Sequence, residues 1–178
     1  DYSRYATVVN GRDIRIGVPK LNVGLIASIV SGLSGPQKRE LEQILSALKA
    51  EMKSGMGPFD LETLKKAIVQ NKEIKEQTSK VLLSWLMVLE DLHLFSKTDL
   101  PSIADLVKPG KVTIVDLSDV TDMRKKQILV SYSSKKLFEA RQKKQVPPFL
   151  LIIEESHQFC PERTREENAI SRKIILRM

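Results

Sequence analysis

Several classes of protein are excluded by what this sequence lacks. Its single cysteine, Cys160, cannot form an intramolecular disulfide and has no companions at metal-binding spacing. The longest apolar stretches, such as 81–89 and 149–153, end well short of the roughly 20 residues that a membrane-spanning helix needs. No basic and then apolar leader precedes Asp1. These absences argue against secreted, zinc-binding and membrane-spanning proteins, and we expect a soluble globular protein of the cytoplasm.

Positive charge is in excess and is concentrated in one segment. The formal net charge is +7 and the pI is near 9.5, which favours an anionic partner. Residues 121–145 hold eight lysines and arginines against two acids. This basic segment is long enough to form a helix that crosses over between two parallel strands. Its charges either face solvent or contact nucleic acid, and the sequence leaves both open.

The middle of the chain has the periodicity of helices. One helix is predicted to begin after Ser34-Gly35-Pro36 and to end at Gly55 and Gly57. Its apolar residues lie on one face: Leu41, Ile44, Leu45, Leu48 and Met52. Asp60 is expected to cap a short helix, since its carboxylate can accept an amide hydrogen bond of the first turn. A longer helix is predicted over about 73–95. Together these helices predict a helical bundle subdomain over 21–108.

Strand patterns lie on either side of this helical segment. Within residues 1–20, Asn10-Gly11 favours a tight type I′ turn, so a small hairpin is predicted there. The runs 112–117 and 149–153 are almost continuously apolar, as expected of strands buried on both faces of a parallel sheet. With the basic helix between them, they predict a right-handed strand, helix, strand unit within 109–178. The predicted fold class is therefore α/β.

The run 149–153 ends in two adjacent acids, Glu154 and Glu155. A buried strand that delivers two carboxylates at its carboxyl end is the Walker B pattern of nucleotide-hydrolysing enzymes. Glu154 would hold the water shell of a Mg²⁺ ion on the nucleotide, and Glu155 would orient the attacking water. The plainer alternative is that both acids only end a core strand and favour the amino end of the following turn.

The run LLIIEESHQFCPE, followed by ISRKIILRM, resembles the stretch around Walker B in HerA ATPases, which are DNA translocases of the HerA/FtsK type. The run VTIVDLSDV is similar to that family's preceding strand, and a helical insertion belongs to the same architecture. The resemblance implies a partial RecA-like P-loop NTPase core. In it, Glu154 matches the magnesium-side acid, Glu155 the catalytic glutamate, and His157 the motif histidine. His157 either links that glutamate to the neighbouring loop or is a hydrogen-bonded packing residue. Ser156 stands where the family usually has alanine.

The same resemblance implies a function and partners. The parent protein would be a homo-hexameric, ATP-driven DNA translocase or helicase that uses ATP and Mg²⁺ in DNA end processing and repair. It would act on double-stranded DNA together with a NurA-like nuclease, with no membrane partner. Arg163 and Arg165, in the polar loop after the acidic run, would face the central pore and bind DNA phosphates. Alternatively, they pair with the glutamates around them.

One departure from the family concerns phosphate binding. No segment matches Gly-x-x-x-x-Gly-Lys-Ser/Thr, and 32–35 has neither the spacing nor the lysine. Because that loop supplies most of the nucleotide affinity, we expect an internal fragment that is inactive as an ATPase by itself. Two other interpretations stay open: a non-enzymatic helical module that binds nucleic acid or protein, and a different nucleotide enzyme such as a conjugative coupling ATPase.

Overall fold

The computed structural model describes residues 5–30 and 32–159. They form two compact units, one built from the residues up to Ile14 and from Pro101 onward, the other from Arg15–Leu100. Each unit combines helices with a short pair of parallel strands, so the predicted α/β class is confirmed at that level. Within the described ranges, no helix is long and apolar enough to cross a membrane.

The unit Arg15–Leu100 is mostly helical and overlaps the helical segment predicted over 21–108. Its elements, in chain order, are β2 (Ile16–Gly17), a 3-10 turn (Val18–Lys20), α1 (Val23–Ile29), α2 (Gly35–Glu51), a π-helical turn (Met52–Met56), α3 (Leu61–Gln70), α4 (Glu76–Asp91) and β3 (Phe95–Ser96). Strands β2 and β3 pair in parallel. Helix α4 begins at Glu76 rather than near residue 73.

Local capping sets the starts of α2 and α3, as predicted. The Ser34 amide donates to Gln37 Oε1 at 2.9 Å, and the Gln37 amide donates to Ser34 Oγ at 3.4 Å, which completes a capping box. The Thr63 amide donates to Asp60 Oδ1 at 2.9 Å. Gly55 has φ 107°, a left-handed conformation that ends the helical path of α2.

Leucine and isoleucine side chains on facing sides of α2, α3 and α4 form the core of this unit. The members that are at most 2 % exposed are Leu41, Leu45, Leu64, Ile68, Leu82, Leu86 and Leu89. An ion pair between Lys65 and Glu90 joins α3 to α4. Lys49 Nζ donates to the Leu21 carbonyl at 2.6 Å and so ties α2 to the start of the unit. The predicted apolar faces are therefore the faces that pack.

The other unit contains the parallel pair on which the candidate site rests. Its elements are β1 (Ala6–Asn10), a 3-10 turn (Gly11–Asp13), α5 (Ile103–Leu106), β4 (Val112–Asp116), α6 (Met123–Gln142) and a 3-10 turn (Ser156–Gln158). Strands β1 and β4 are in register from Ala6 opposite Val112 to Asn10 opposite Asp116. Helix α6 is the predicted basic helix, and Asp122 caps its start by accepting from the Arg124 amide at 2.8 Å.

The predicted hairpin around Asn10 and Gly11 is wrong. Across residues 5–18, all of which are described, β1 and β2 do not pair with each other; β1 pairs with β4, and β2 with β3. A type I′ turn needs positive φ at both central residues. Asn10 is instead extended, with φ −76° and ψ 141°, and Gly11 begins a 3-10 turn.

The two apolar runs also differ from the prediction. Residues 149–153 have no regular secondary structure, and Leu150 and Ile152 are 85 % and 74 % exposed. Residues 112–116 do form a strand, but Val112 and Ile114 are 57 % and 47 % exposed rather than buried on both faces. Both differences have the same cause. In the described part of the chain, this sheet has two strands and no third strand beside β4, so neither run is covered on both faces.

Candidate functional site

Glu154 and Glu155 form the turn directly after the segment 149–153. Glu155 has φ 50° and ψ 38°, a left-handed conformation that is uncommon for a residue other than glycine. The Gln158 amide donates to the Glu155 carbonyl at 2.9 Å, which closes the following 3-10 turn. This turn redirects the chain sharply after the apolar segment and leaves both carboxylates exposed to solvent.

His157 contacts the second of these two carboxylates. Its Nδ1 atom lies 3.4 Å from Glu155 Oε2, and both side chains are mostly exposed. An ion pair or hydrogen bond so open to water contributes little to folding stability. The contact places the imidazole beside the Glu155 carboxylate. The structure thus brings together Glu155 and His157, two of the residues that the sequence singles out.

A second polar cluster lies where β1 and β4 end. Asn10 and Asp116 are opposite each other in the register, at the carboxyl ends of two parallel strands. Asp116 accepts from the Ser118 amide at 2.9 Å, and this hydrogen bond lowers the pKa of the Asp116 carboxyl. Asp116 is therefore ionised at neutral pH. The carboxyl edge of a parallel sheet is where α/β folds place their ligands.

The turn after β1 is attached to the loop after β4. Arg12 lies 3.5 Å from Asp119 through its Nε atom, and the Arg12 amide donates to Asp119 Oδ2 at 3.2 Å. Sequence reasoning missed this pair and Asn10. The two partners are 107 positions apart, and only the parallel pairing of β1 with β4 brings them together. The one sequence signal for this part of the site is Asp116, an acid within the otherwise apolar run 112–117.

The two ends of the candidate site are not joined by direct contacts. In the described chain, no hydrogen bond or ion pair links Glu154 or Glu155 to Asn10 or Asp116. The predicted arginines Arg163 and Arg165 lie outside the described residues. The site seen here is therefore one exposed acidic turn with its histidine, and one carboxyl edge of a two-stranded sheet.

The donor set of the acidic turn suits magnesium only in a limited way. Among the residues described, no group of three or more histidine, cysteine, aspartate or glutamate side chains could hold a metal ion. Mg²⁺ in nucleotide enzymes keeps several waters and takes one or two carboxylates plus phosphate oxygens. Glu154 fits that role, since it offers carboxylate oxygens to a solvated ion that the nucleotide itself would carry.

No protein-family model matches the sequence, and no curated protein matches it significantly.

Proposed function

We propose that this chain is part of a hexameric, ATP-driven DNA translocase or helicase of the HerA/FtsK type, which acts in DNA end processing and repair. One observation carries the proposal. A parallel strand, β4, leads through the basic helix α6 to an apolar segment that ends in Glu154, Glu155 and His157. This order, with two adjacent acids after an apolar segment, supports the acidic half of an ATPase site, and His157 contacts the second of these acids.

A RecA-like core needs the segment 149–153 to be a strand beside β4; the segment is not a strand in this structure, and we propose that it becomes one in the full-length protein. Exposure varies along the segment: Leu150 and Ile152 are 85 % and 74 % exposed, Leu151 between them is 41 % exposed, and Phe149 and Ile153 are half-buried. Alternation with period two is typical of a strand that is covered on one face. Because α6 connects the two runs, the new strand would lie parallel to β4 and end at the same edge as Asp116.

The chemistry follows from that placement. Glu154 would contact the water shell of Mg²⁺, which neutralises charge on the nucleotide phosphates. Glu155 would orient water toward the terminal phosphate, held in position by His157. The phosphate-binding loop would come from residues beyond this sequence, since none of the 178 residues forms one. Arg163 and Arg165 would bind the phosphates of double-stranded DNA, and a NurA-like nuclease would process the DNA ends.

The test compares two isosteric changes in the full-length protein that we propose. Glu155→Gln keeps the shape of the side chain but removes the base, so kcat for ATP should fall about 100- to 10,000-fold while nucleotide binding is retained. Glu73→Gln is the matched control, because Glu73 is exposed in the loop between α3 and α4. ATP hydrolysis would be measured with and without DNA. Near-normal turnover by Glu155→Gln would refute the assignment of Glu155.

A further inference from the structure

An open groove lies beside the carboxyl-terminal half of α6. Its volume is about 310 Å³, and it is lined by Ser134, Phe138, Arg141, Pro148, Phe149 and Leu151. The first three are spaced by four and three positions, so they share one face of the helix. The last three belong to the chain that follows α6. Two phenyl side chains and one guanidinium therefore line a single groove at the surface.

Positive charge without a paired acid lies on Arg141, which lines this groove, and on Lys143 and Lys144, which follow it in the chain. Arg141, Lys143 and Lys144 are exposed, and in the described residues no carboxylate lies within ion-pair distance of any of them. The acid nearest along the helix is Glu139, which is occupied by Lys135 at 3.9 Å and Lys136 at 3.1 Å. Arg141 donates only weakly, to the Val146 carbonyl at 3.5 Å. The groove thus combines aromatic surface with available cations.

We infer that this groove binds an unpaired base of single-stranded nucleic acid. The base would stack on Phe149, and Arg141, Lys143 and Lys144 would contact the flanking phosphates. Bases in a duplex are stacked on one another and cannot enter such a groove. An acidic peptide would use the cations, but it would use the phenyl rings only where it carried aromatic side chains, whereas every nucleotide carries a planar base. The inference goes beyond the proposed function, which places duplex contacts on Arg163 and Arg165 and leaves single strands unassigned.

The stacking half of the inference is tested with a labelled oligothymidylate and a duplex of equal length, by fluorescence anisotropy on this chain. Stacking on an aromatic side chain contributes about 1–3 kcal/mol per base, so Phe149→Leu should weaken binding of the single strand about 5- to 150-fold. Phe149→Trp keeps a stacking surface and should retain affinity. Circular dichroism checks that both variants keep the helices. Equal affinity for the duplex, or no effect of Phe149→Leu, would overturn the inference.

The electrostatic half uses matched lysine pairs. Lys143→Ala/Lys144→Ala should reduce the slope of log affinity against log salt by about 0.7 for each lost phosphate contact. Lys72→Ala/Lys75→Ala removes the same charge from the exposed loop before α4 and should leave the slope unchanged. An equal reduction of the slope in both double variants would show that net charge alone attracts the oligothymidylate, and it would overturn the proposed site. Binding of oligothymidylate is measured without nucleotide, so failure here is distinct from failure of the proposed ATPase.

Discussion

Replacing Gly11 by alanine should destabilise the unit that carries the candidate site. A Cβ atom at Gly11 would lie 2.6 Å from Val120 Cγ2 and 2.9 Å from Leu117 Cδ2, well inside the 3.5–4.0 Å or so that carbon atoms prefer. Val120 is buried and β-branched, so its side chain cannot rotate away easily. Overpacking of this kind costs about 1–3 kcal/mol.

The effect is measurable by urea unfolding, followed by circular dichroism. A loss of about 2 kcal/mol, with a typical urea dependence of about 2 kcal/mol/M, lowers the midpoint by about 1 M. Gly35→Ala is the control, because no atom lies within 4 Å of a Cβ at that position and its backbone is helical. It should leave the midpoint unchanged or raise it slightly. If Gly11→Ala has the same midpoint as Gly35→Ala, the packing of Gly11 against Val120 is not what we describe.

Two further predictions concern the cap of α3 and the segment 149–153. Asp60→Ala should cost about 0.5–2 kcal/mol in urea unfolding. The Thr63 amide, with the Thr63 hydroxyl and Lys97, lowers the Asp60 pKa on folding, so the cost should be full above the ordinary value of 3.8 and decrease as pH falls through the folded pKa. A cost independent of pH would contradict the cap. In the full-length protein, amide hydrogens of 150–152 should exchange as slowly as those of β1 if they pair with β4; fast exchange would exclude that strand.

Features encoded by neighbouring residues could be read from the sequence. The caps at Ser34 and Asp60, and the glycines that end α2, depend on hydrogen bonds and dihedral angles within a few positions. The hairpin prediction failed because Asn10-Gly11 favours a turn only weakly compared with a parallel partner more than 100 positions away. The Arg12–Asp119 pair depends on the same distant contact, so it left no local signal.

The apolar run 149–153 shows a different limit of sequence reasoning. Its composition is that of a buried strand, but a strand exists only when another strand supplies hydrogen bonds along its edge. In the described chain, the run packs beside α6 without such a partner, and its most apolar side chains stay in contact with water. By contrast, the contact between His157 and Glu155 spans two positions and follows directly from the local turn.

The chain leaves the helical unit at the place where it enters. The Arg15 amide donates to the Leu100 carbonyl at 2.7 Å, and the Leu100 amide donates to the Arg15 carbonyl at 3.0 Å. Because the two ends of Arg15–Leu100 are hydrogen-bonded to each other, this unit is joined to the rest of the chain at one place. A change in the length of the unit, or its loss, would therefore alter the chain at that place only. The helices and the acidic turn can therefore evolve at different rates within one chain.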